Sequence, residues 1–255
     1  MEKDKILIQA HRGASKRAAQ NTVPAFEKAI LMGADGIETD VHLTKDGIPV
    51  ICHNYDIDST SNATGFIADK TFDELRQYDF GSYFSSVYEN TKIPALEELF
   101  ALCAPSGLKI INVEIKNPKE KNDISKKVIC LAKEYGVFDR LLISSFSKDI
   151  LIECKEIDER VKTGFLYSPN QPIYLTQLMF DYVNFAKSIG ANFLHPHFSC
   201  VTKRYVDRLH ENGIGINPWT CDSEESINRM LSLRVDSIIT NVPDLAANLA
   251  GRDNA

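Results

Sequence analysis

Short apolar runs rich in β-branched residues alternate along the chain with longer segments whose apolar residues recur at helical spacing. This alternation is typical of α/β folds. Eight runs predict strands at 6–11, 36–43, 109–116, 141–146, 163–167, 193–197, 215–219 and 237–240. Helical periodicity predicts helices near 22–33, 95–104, 123–135, 148–158, 174–189, 202–212 and 223–233, and a last helix after Pro243. Eight strands with crossover helices predict a (β/α)8 TIM barrel, with a doubly wound open sheet as the alternative.

The region from 48 to 93 departs from this alternation. It lacks a clean helical period and is rich in Asp, Asn, Ser, Thr and Tyr. Because it is too long for an ordinary loop, we expect an extra strand ending at His53, followed by an insertion over the barrel mouth at about 54–93. There are no internal repeats, low-complexity tracts or interdomain linkers, so residues 1–255 are predicted to form a single domain.

Composition and charge limit the possible partners. The 255 residues, 44% of them hydrophobic, suffice for one sizeable core. The formal net charge, 29 − 35 = −6, gives the chain no global attraction for nucleic acid or an anionic bilayer, so any bound phosphate needs local cations or a metal. No apolar run approaches the roughly 18 residues of a membrane span. We therefore predict a cytoplasmic protein without stable membrane association, and the sequence indicates no particular oligomeric state.

The six cysteines also bear on the compartment. They show no C-x-x-C spacing, and several lie within apolar stretches, as Cys52 and Cys130 do. We interpret them as small buried hydrophobic residues of a reduced compartment.

Three acidic residues lie inside the predicted strands, where charged residues are uncommon. Glu38 and Asp40 are two positions apart and so point the same way, while Glu114 ends the next barrel strand. Three carboxylates converging on one end of a barrel would repel each other unless a cation lies among them, and oxygen ligands without thiolate favour Mg2+ or Ca2+. Alternatively, the carboxylates pair with Arg12 and Lys116 in a structural network. Spacing alone leaves both interpretations open.

Two histidines and two cations accompany these carboxylates. His11 and His53 are candidate proton carriers, because histidine titrates near neutrality. Arg12 and Lys116 can bind an anionic group. Carboxylates for a metal, two imidazoles and two cations together predict a site for phosphoryl transfer.

Three further histidines have weaker assignments. His42 shares a strand face with Asp40 and is expected at the rim of the site. His195 and His197 end a predicted strand, where they either contact the alcohol portion of a substrate or have structural roles.

An ordered set of motifs resembles the glycerophosphodiester phosphodiesterase family. The set comprises His11-Arg12-Gly13, Asn21-Thr22, Glu38-x-Asp40-Val41, Thr44-x-Asp46-Gly47, Pro49-Val50, His53, Ile93-Pro94, Glu114-Ile115-Lys116, Trp219-Thr220 and Thr240-Asn241-x-Pro243-Asp244. Each motif is weak by itself, but the ordered set is specific and extends from about residue 5 to residue 250.

The resemblance implies a barrel with a small extra module, and an enzyme that releases an alcohol and sn-glycerol 3-phosphate from a glycerophosphodiester. It implies eight site residues, which are the Mg2+ or Ca2+ ligands Glu38, Asp40 and Glu114, the acid/base pair His11 and His53, the phosphate-binding Arg12 and Lys116, and the pocket-lining Trp219. By analogy, the glycerol 2-hydroxyl attacks phosphorus, with His53 as the base and His11 as the acid.

The chain also departs from the family pattern. Gln20 stands where the family commonly has Glu, and Asn54 stands where an acidic residue commonly follows the second histidine. Two alternatives therefore accompany the prediction. One is a lysophospholipase D or phospholipase-C-like enzyme acting on a lipid, and the other is a non-catalytic barrel of the same fold.

Overall fold

A ring of parallel strands forms the centre of the molecule, whose computed structural model describes residues 6–117, 122–170 and 179–252. The strands are β1 (Leu7–His11), β2 (Gly36–Leu43), β3 (Pro49–Ile51), β4 (Ile110–Ile115), β5 (Leu141–Ser145), β6 (Lys162–Tyr167), β7 (Phe193–Pro196), β8 (Gly215–Ile216) and β9 (Ser237–Thr240). The helices are α1 (Val23–Leu31), α2 (Phe72–Leu75), α3 (Leu96–Cys103), α4 (Ile124–Glu134), α5 (Lys148–Ile157), α6 (Met179–Ser188), α7 (Lys203–Glu211), α8 (Glu224–Leu233) and α9 (Pro243–Leu249).

The ring is closed by backbone hydrogen bonds. The strand order is β8-β7-β6-β5-β4-β2-β1-β9, and β3 pairs only with β2, in the antiparallel direction. At the two ends of this order, the amide of Asp236 donates to the carbonyl of Ile216 at 3.1 Å, and the amide of Ile239 donates to that of Pro218 at 3.0 Å. The predicted (β/α)8 barrel is therefore confirmed, and the open-sheet alternative is wrong.

The predicted strands correspond to β1, β2 and β4 to β9, and most of their ends agree within one residue. β8 is the exception, because Pro218 has no amide hydrogen to continue the ladder; the amide of Trp219 still donates to the carbonyl of Pro196. The extra strand β3 ends at Ile51, two residues before the predicted end. Of the helix predicted at 174–189, the part before Met179 lies outside the described residues.

Apolar side chains fill the space between strands and helices. Every residue of β4 and β6 except the first is buried, because in an α/β barrel strands are covered on both faces. In the described ranges, no helix is both long enough and apolar enough to cross a bilayer. All six cysteines are free thiols. Cys130 lies on the solvent side of α4, so the expectation that it is buried is wrong.

Polar side chains fill the barrel interior below the mouth. Six of them form a directed series of hydrogen bonds, in which each member donates to the next, in the order Ser144, Asn112, Gln9, Ser237, Asn217 and His195. His195 is fully buried at the end of this series, so of its two expected roles the structural one applies. The series satisfies buried polar groups that would otherwise destabilise the fold, and it forms a fixed floor beneath the mouth.

The residues between β3 and α3 form a small module with its own core. This core consists of Cys52, Ile57, Ile67, Leu75, Phe80 and Ile93, together with Val50 of β3. Tyrosine hydroxyls join the module to the barrel loops. Tyr55 donates to the carbonyl of Asn117 at 2.7 Å, and Tyr88 donates to that of Arg17 at 2.8 Å. The module is thereby held beside the mouth of the barrel.

Gly36 allows the close approach of β2 and β4, the two strands that carry the acidic residues. A Cβ atom at this position would lie 2.8 Å from the carbonyl oxygen of Ile110. We expect Gly36→Ala to lower the free energy of unfolding by roughly 1–3 kcal/mol, measured by chemical denaturation, because overpacking there must displace backbone. Gly107→Ala is the matched control, since a Cβ there meets no atom within 4 Å. Equal effects of the two substitutions would contradict this explanation.

Candidate active site

A cavity of about 160 Å3 opens at the carboxyl ends of the barrel strands. Its lining residues are His11, Arg12, Glu38, His53, Asn112, Glu114, Lys116, Ser144, Phe146, Leu166, Trp219, Thr220 and Ile239. Seven of the eight residues proposed from the sequence are in this list. The eighth, Asp40, is fully buried behind the wall and contacts Arg12 and Lys116.

Strand register brings the acidic residues together. On neighbouring strands, Asp40 of β2 is paired with Glu114 of β4, while Glu38 is paired with His11 of β1. Because alternate residues of a strand point to the same side, Glu38 and Asp40 both face the barrel interior. One oxygen from each of the three carboxylates lies within 4.8 Å of the other two.

Two cations lie against this cluster. The Lys116 ammonium is 2.7 Å from Asp40 Oδ1 and 2.6 Å from Glu114 Oε1. Arg12 Nε is 3.5 Å from Asp40 Oδ2. The pairing proposed as a structural network is therefore present in the fold. Three carboxylates nevertheless face two cations, and one negative charge remains uncompensated.

The pKa values of the three carboxyl groups are shifted by burial and by the neighbouring charges. Burial alone would raise the pKa of Asp40, but Lys116 and Arg12 outweigh burial and hold it well below its usual range. Burial raises the pKa of Glu114 to about 7, even though Lys116 opposes the shift. Burial, with repulsion from Asp40 and Glu114, also raises the pKa of Glu38. Glu38 and Glu114 therefore need a further positive charge, or a proton, at neutral pH.

The donor set fits a hard divalent cation. All three candidate ligands supply carboxylate oxygens, which Mg2+ and Ca2+ prefer. Although Asp40 Oδ1 lies close to Lys116, it has no partner in hydrogen-bond geometry. A buried carboxylate oxygen without a hydrogen bond and a net negative cluster are both features that such a cation would satisfy.

His11 is held at the end of β1 by an amide. Its Nδ1 lies 2.8 Å from Asn241 Oδ1, so that nitrogen carries the proton and donates it. Its Nε2 lies 3.8 Å from Glu38 Oε2 and is the nitrogen that remains for chemistry. Burial and the neighbouring Arg12 lower the pKa of His11 to about 4.

His53, just after β3, has a similar arrangement. Its Nδ1 lies 2.7 Å from Asn54 Oδ1, and the Asn54 amide donates to Ser59 Oγ at 3.1 Å. Asn54 stands where the family commonly has an acidic residue. Its amide oxygen still provides a hydrogen-bond acceptor for His53 Nδ1. Burial lowers the pKa of His53. His42 lies beside it, with Nε2 3.4 Å from the His53 carbonyl oxygen, and lines the larger cavity described below, so its rim role stays a prediction.

Arg12 and Trp219 are both part of the cavity wall. Arg12 adopts a left-handed backbone conformation, with φ of 57°, and its Nη1 donates to Gln20 Oε1 at 2.6 Å. The Gln20 amide oxygen thus orients the guanidinium without adding a negative charge. Trp219 Nε1 donates to the His195 carbonyl at 2.8 Å, and its ring meets those of Phe146 and His197 edge-on.

Sequence reasoning assigned no role to three polar residues that organise the site. Asn21 donates to Asp40 Oδ2 at 2.8 Å, and Asn241 contacts His11. Both belong to the quoted motifs, which could have suggested such roles. Asp222 was not considered, although it follows the end of β8 and so lies where barrel active sites are found.

A second cavity, of about 550 Å3, lies between the barrel and the module. His42, Tyr55, Phe66 and Lys116 are among its lining residues. The second cavity is the larger, but Glu38, Glu114 and His11 line the smaller one. Lys116 borders both.

Comparisons with known proteins agree with this geometry. The model of the "Glycerophosphoryl diester phosphodiesterase family" matches residues 11–245. A glycerophosphodiester phosphodiesterase of Caldanaerobacter subterraneus subsp. tengcongensis is 36% identical over 246 residues, which are 96% of this chain and 98% of that protein. The structure of an Oleispira antarctica phosphodiesterase in complex with the product sn-glycerol-3-phosphate superposes with a TM-score of 0.83 at 24% identity, covering 97% of each chain.

Lys116 balances two buried carboxylates, and its removal leaves Glu114 without its cation and Asp40 with Arg12 as its remaining cation. We expect Lys116→Met to lower the free energy of unfolding in EDTA by about 3 kcal/mol, as breaking a buried ion pair does. Lys203→Met is the matched control, because Lys203 pairs with Asp207 at the surface, where such pairs contribute about 1 kcal/mol or less. If chemical denaturation gives the two variants similar stabilities, Lys116 does not have this balancing role.

Proposed function

Because the chain belongs to the glycerophosphoryl diester phosphodiesterase family, we propose that the cavity at the barrel mouth hydrolyses glycerophosphodiesters with a divalent cation and an imidazole pair. Family membership makes the chain an enzyme that hydrolyses glycerophosphodiesters, so the alternative of a non-catalytic barrel does not apply. The single observation that carries the finer proposal is the convergence of Glu38, Asp40 and Glu114 beside both histidines. The product in the Oleispira antarctica complex supports sn-glycerol 3-phosphate as the product here.

Glu38, Asp40 and Glu114 would hold the cation, Mg2+ or Ca2+. When bound, such an ion offsets the negative charge that builds up on a phosphodiester during substitution at phosphorus. Arg12 and Lys116 line the same cavity and would contact the phosphate oxygens. The floor of hydrogen-bonded polar side chains keeps these groups fixed, which preserves their alignment.

The histidines would move the protons. One imidazole removes the proton of the glycerol 2-hydroxyl, whose oxygen then forms a bond to phosphorus. The bond from phosphorus to the head-group oxygen breaks, and the second imidazole protonates that oxygen. Water then opens the cyclic phosphate with the two roles exchanged. Burial lowers the pKa of both histidines, and the negative charge of a bound phosphodiester would raise it, which would favour the protonated form of the acid.

Trp219 and its aromatic neighbours would pack against the apolar face of the glycerol unit. The whole chain would act as one domain, with residues 54–93 as an insertion beside the substrate entrance. The cytoplasmic location stays a prediction.

Activity measurements test the metal and the substrate class together. A coupled assay can measure the release of sn-glycerol 3-phosphate from glycerophosphocholine. We expect this release to stop in EDTA and to return when Mg2+ or Ca2+ is added. Lysophosphatidylcholine should be hydrolysed more slowly, because the acidic chain has no general attraction for a lipid surface. Turnover that survives EDTA would contradict the proposed cation, and faster turnover of the acylated substrate would favour a lipid substrate.

Thermal unfolding of Glu38→Gln, with and without metal, separates metal binding from folding. The parent should gain about 2.7 kcal/mol of stability at a metal concentration near 100 times the Kd, seen as a higher Tm, whereas the variant should gain much less. In EDTA the variant should melt no lower than the parent, since Gln removes both the buried charge and the repulsion from Asp40 and Glu114 that raise the pKa of Glu38. An equal metal-dependent rise in both proteins would exclude Glu38 as a ligand.

Histidine variants test the acid and base roles. We expect His11→Asn and His53→Asn to lower kcat by roughly 10²- to 10⁴-fold with glycerophosphocholine. A p-nitrophenyl glycerophosphodiester has a leaving group that needs no proton, so the variant lacking the acid should recover the first step on it, measured as the initial release of p-nitrophenol. We expect recovery in His11→Asn and none in His53→Asn. Recovery in His53→Asn alone would reverse the roles, and full activity of either variant would refute the pair.

A further inference from the structure

Asp222 is linked to His11 through Asn241. One oxygen of Asp222, Oδ2, accepts a hydrogen bond from the Asn241 side-chain amide at 2.6 Å. The other, Oδ1, accepts one from the Asn241 backbone amide at 2.8 Å and one from the Thr240 hydroxyl at 3.3 Å. On the far side of Asn241, Oδ1 lies 2.8 Å from His11 Nδ1.

These bonds fix which end of the Asn241 amide faces the histidine. A carboxylate only accepts hydrogen bonds, so the NH2 group of Asn241 must face Asp222 and its oxygen must face His11. The hydroxyl of Ser15 donates to the same oxygen at 2.6 Å. An oxygen facing Nδ1 requires a proton on Nδ1, and the lone pair of the neutral imidazole is then on Nε2, which faces the cavity.

We propose that Asp222 is a positioning residue that sets the tautomer of His11 through the orientation of the Asn241 amide. This inference rests on the proposed function for its effect on turnover, but not for its effect on the imidazole. Asp222 is neither a lining residue of the cavity nor one of the proposed cation ligands, and its hydrogen bonds reach His11 through Asn241.

His53 shows that the arrangement at His11 is special. There the orienting amide, Asn54, is backed by the hydroxyl of Ser59. A hydroxyl can donate as well as accept, so either orientation of Asn54 can be satisfied. A carboxylate cannot donate. The tautomer of His11 is therefore fixed by its surroundings, while that of His53 can change.

Asp222→Asn tests the inference with almost no change in shape. The backbone amide of Asn241 is a fixed donor, so the new side chain must place its oxygen there and its NH2 group towards the Asn241 side chain. Asn241 then has to turn its own NH2 group towards His11. This rotation costs less than leaving two part-buried donors facing each other. The proton of His11 should consequently move to Nε2.

Two measurements report on this change. Two-bond 1H–15N correlation spectra at pH 8 report the tautomer of His11, whose signals are identified by their loss in His11→Asn. They should show a protonated His11 Nδ1 in the parent and a protonated Nε2 in Asp222→Asn. Turnover of glycerophosphocholine should fall by about 10- to 100-fold in kcat, with little change in KM, as when groups that orient a functional histidine are altered. Asp244→Asn, the same chemical change in a residue that pairs with Arg17, should leave both readouts at parental values.

The double variant Asp222→Asn with Asn241→Asp restores the original polarity. The carboxylate that Asn241→Asp introduces can only accept, so it again takes the Nδ1 proton of His11. The amide that Asp222→Asn introduces donates to this carboxylate and still accepts from the backbone amide of residue 241. We expect the parental tautomer and most of kcat to return.

The outcomes separate this inference from the proposed function. An unchanged tautomer in Asp222→Asn, or no rescue in the double variant, would overturn the inference. A changed tautomer with full turnover would support the positioning by Asp222 but refute the proposed role of His11.

Discussion

Three carboxylates held within 4.8 Å of one another inside a protein repel each other and lose most of their hydration, and the rest of this site is arranged around that fact. Lys116 and Arg12 offset two of the three charges. Burial, with the repulsion among the carboxylates, raises the pKa values of Glu38 and Glu114, and a bound cation or a proton would stabilise the cluster. The closed, hydrogen-bonded ring of strands prevents the carboxylates from relaxing apart. In this way the stability of the barrel maintains an arrangement that the site residues by themselves would not favour.

Neutral amides orient the charged and titratable groups. Asn21 holds Asp40, Asn241 holds His11, Asn54 holds His53, and Gln20 holds the guanidinium of Arg12. An amide oxygen accepts a hydrogen bond as a carboxylate does, but it adds no charge to a cluster that already carries an excess. This explains how Gln20 and Asn54 can stand where the family commonly has acidic residues. The orientation of an amide must itself be fixed, and around His11 the carboxylate of Asp222 does so.

The two cavities suggest a division of the mouth. The smaller cavity contains the charged and titratable residues, and the larger one lies between the barrel and the module, with Lys116 on the border. Tyr55 links the module to the loop that follows Lys116 and also lines the larger cavity. Residues 54–93 contribute to the lining of the larger cavity and not to that of the smaller one.

The sequence by itself determined the fold class and the composition of the site. Alternating apolar runs indicated eight strands, because strand and helix periods differ, and the family motifs pointed to eight residues, of which seven line one cavity. Relationships across the ring were decided only by the tertiary structure. Asp222 and Asn241 follow different strands, β8 and β9, and are linked to His11 at the end of β1, so no local pattern predicts that they meet. His195 lies near the end of a strand as His11 does, but the depth of its side chain in the barrel makes it structural. Local periodicity specifies which residues face inward; only the closure and register of the ring specify which of them touch.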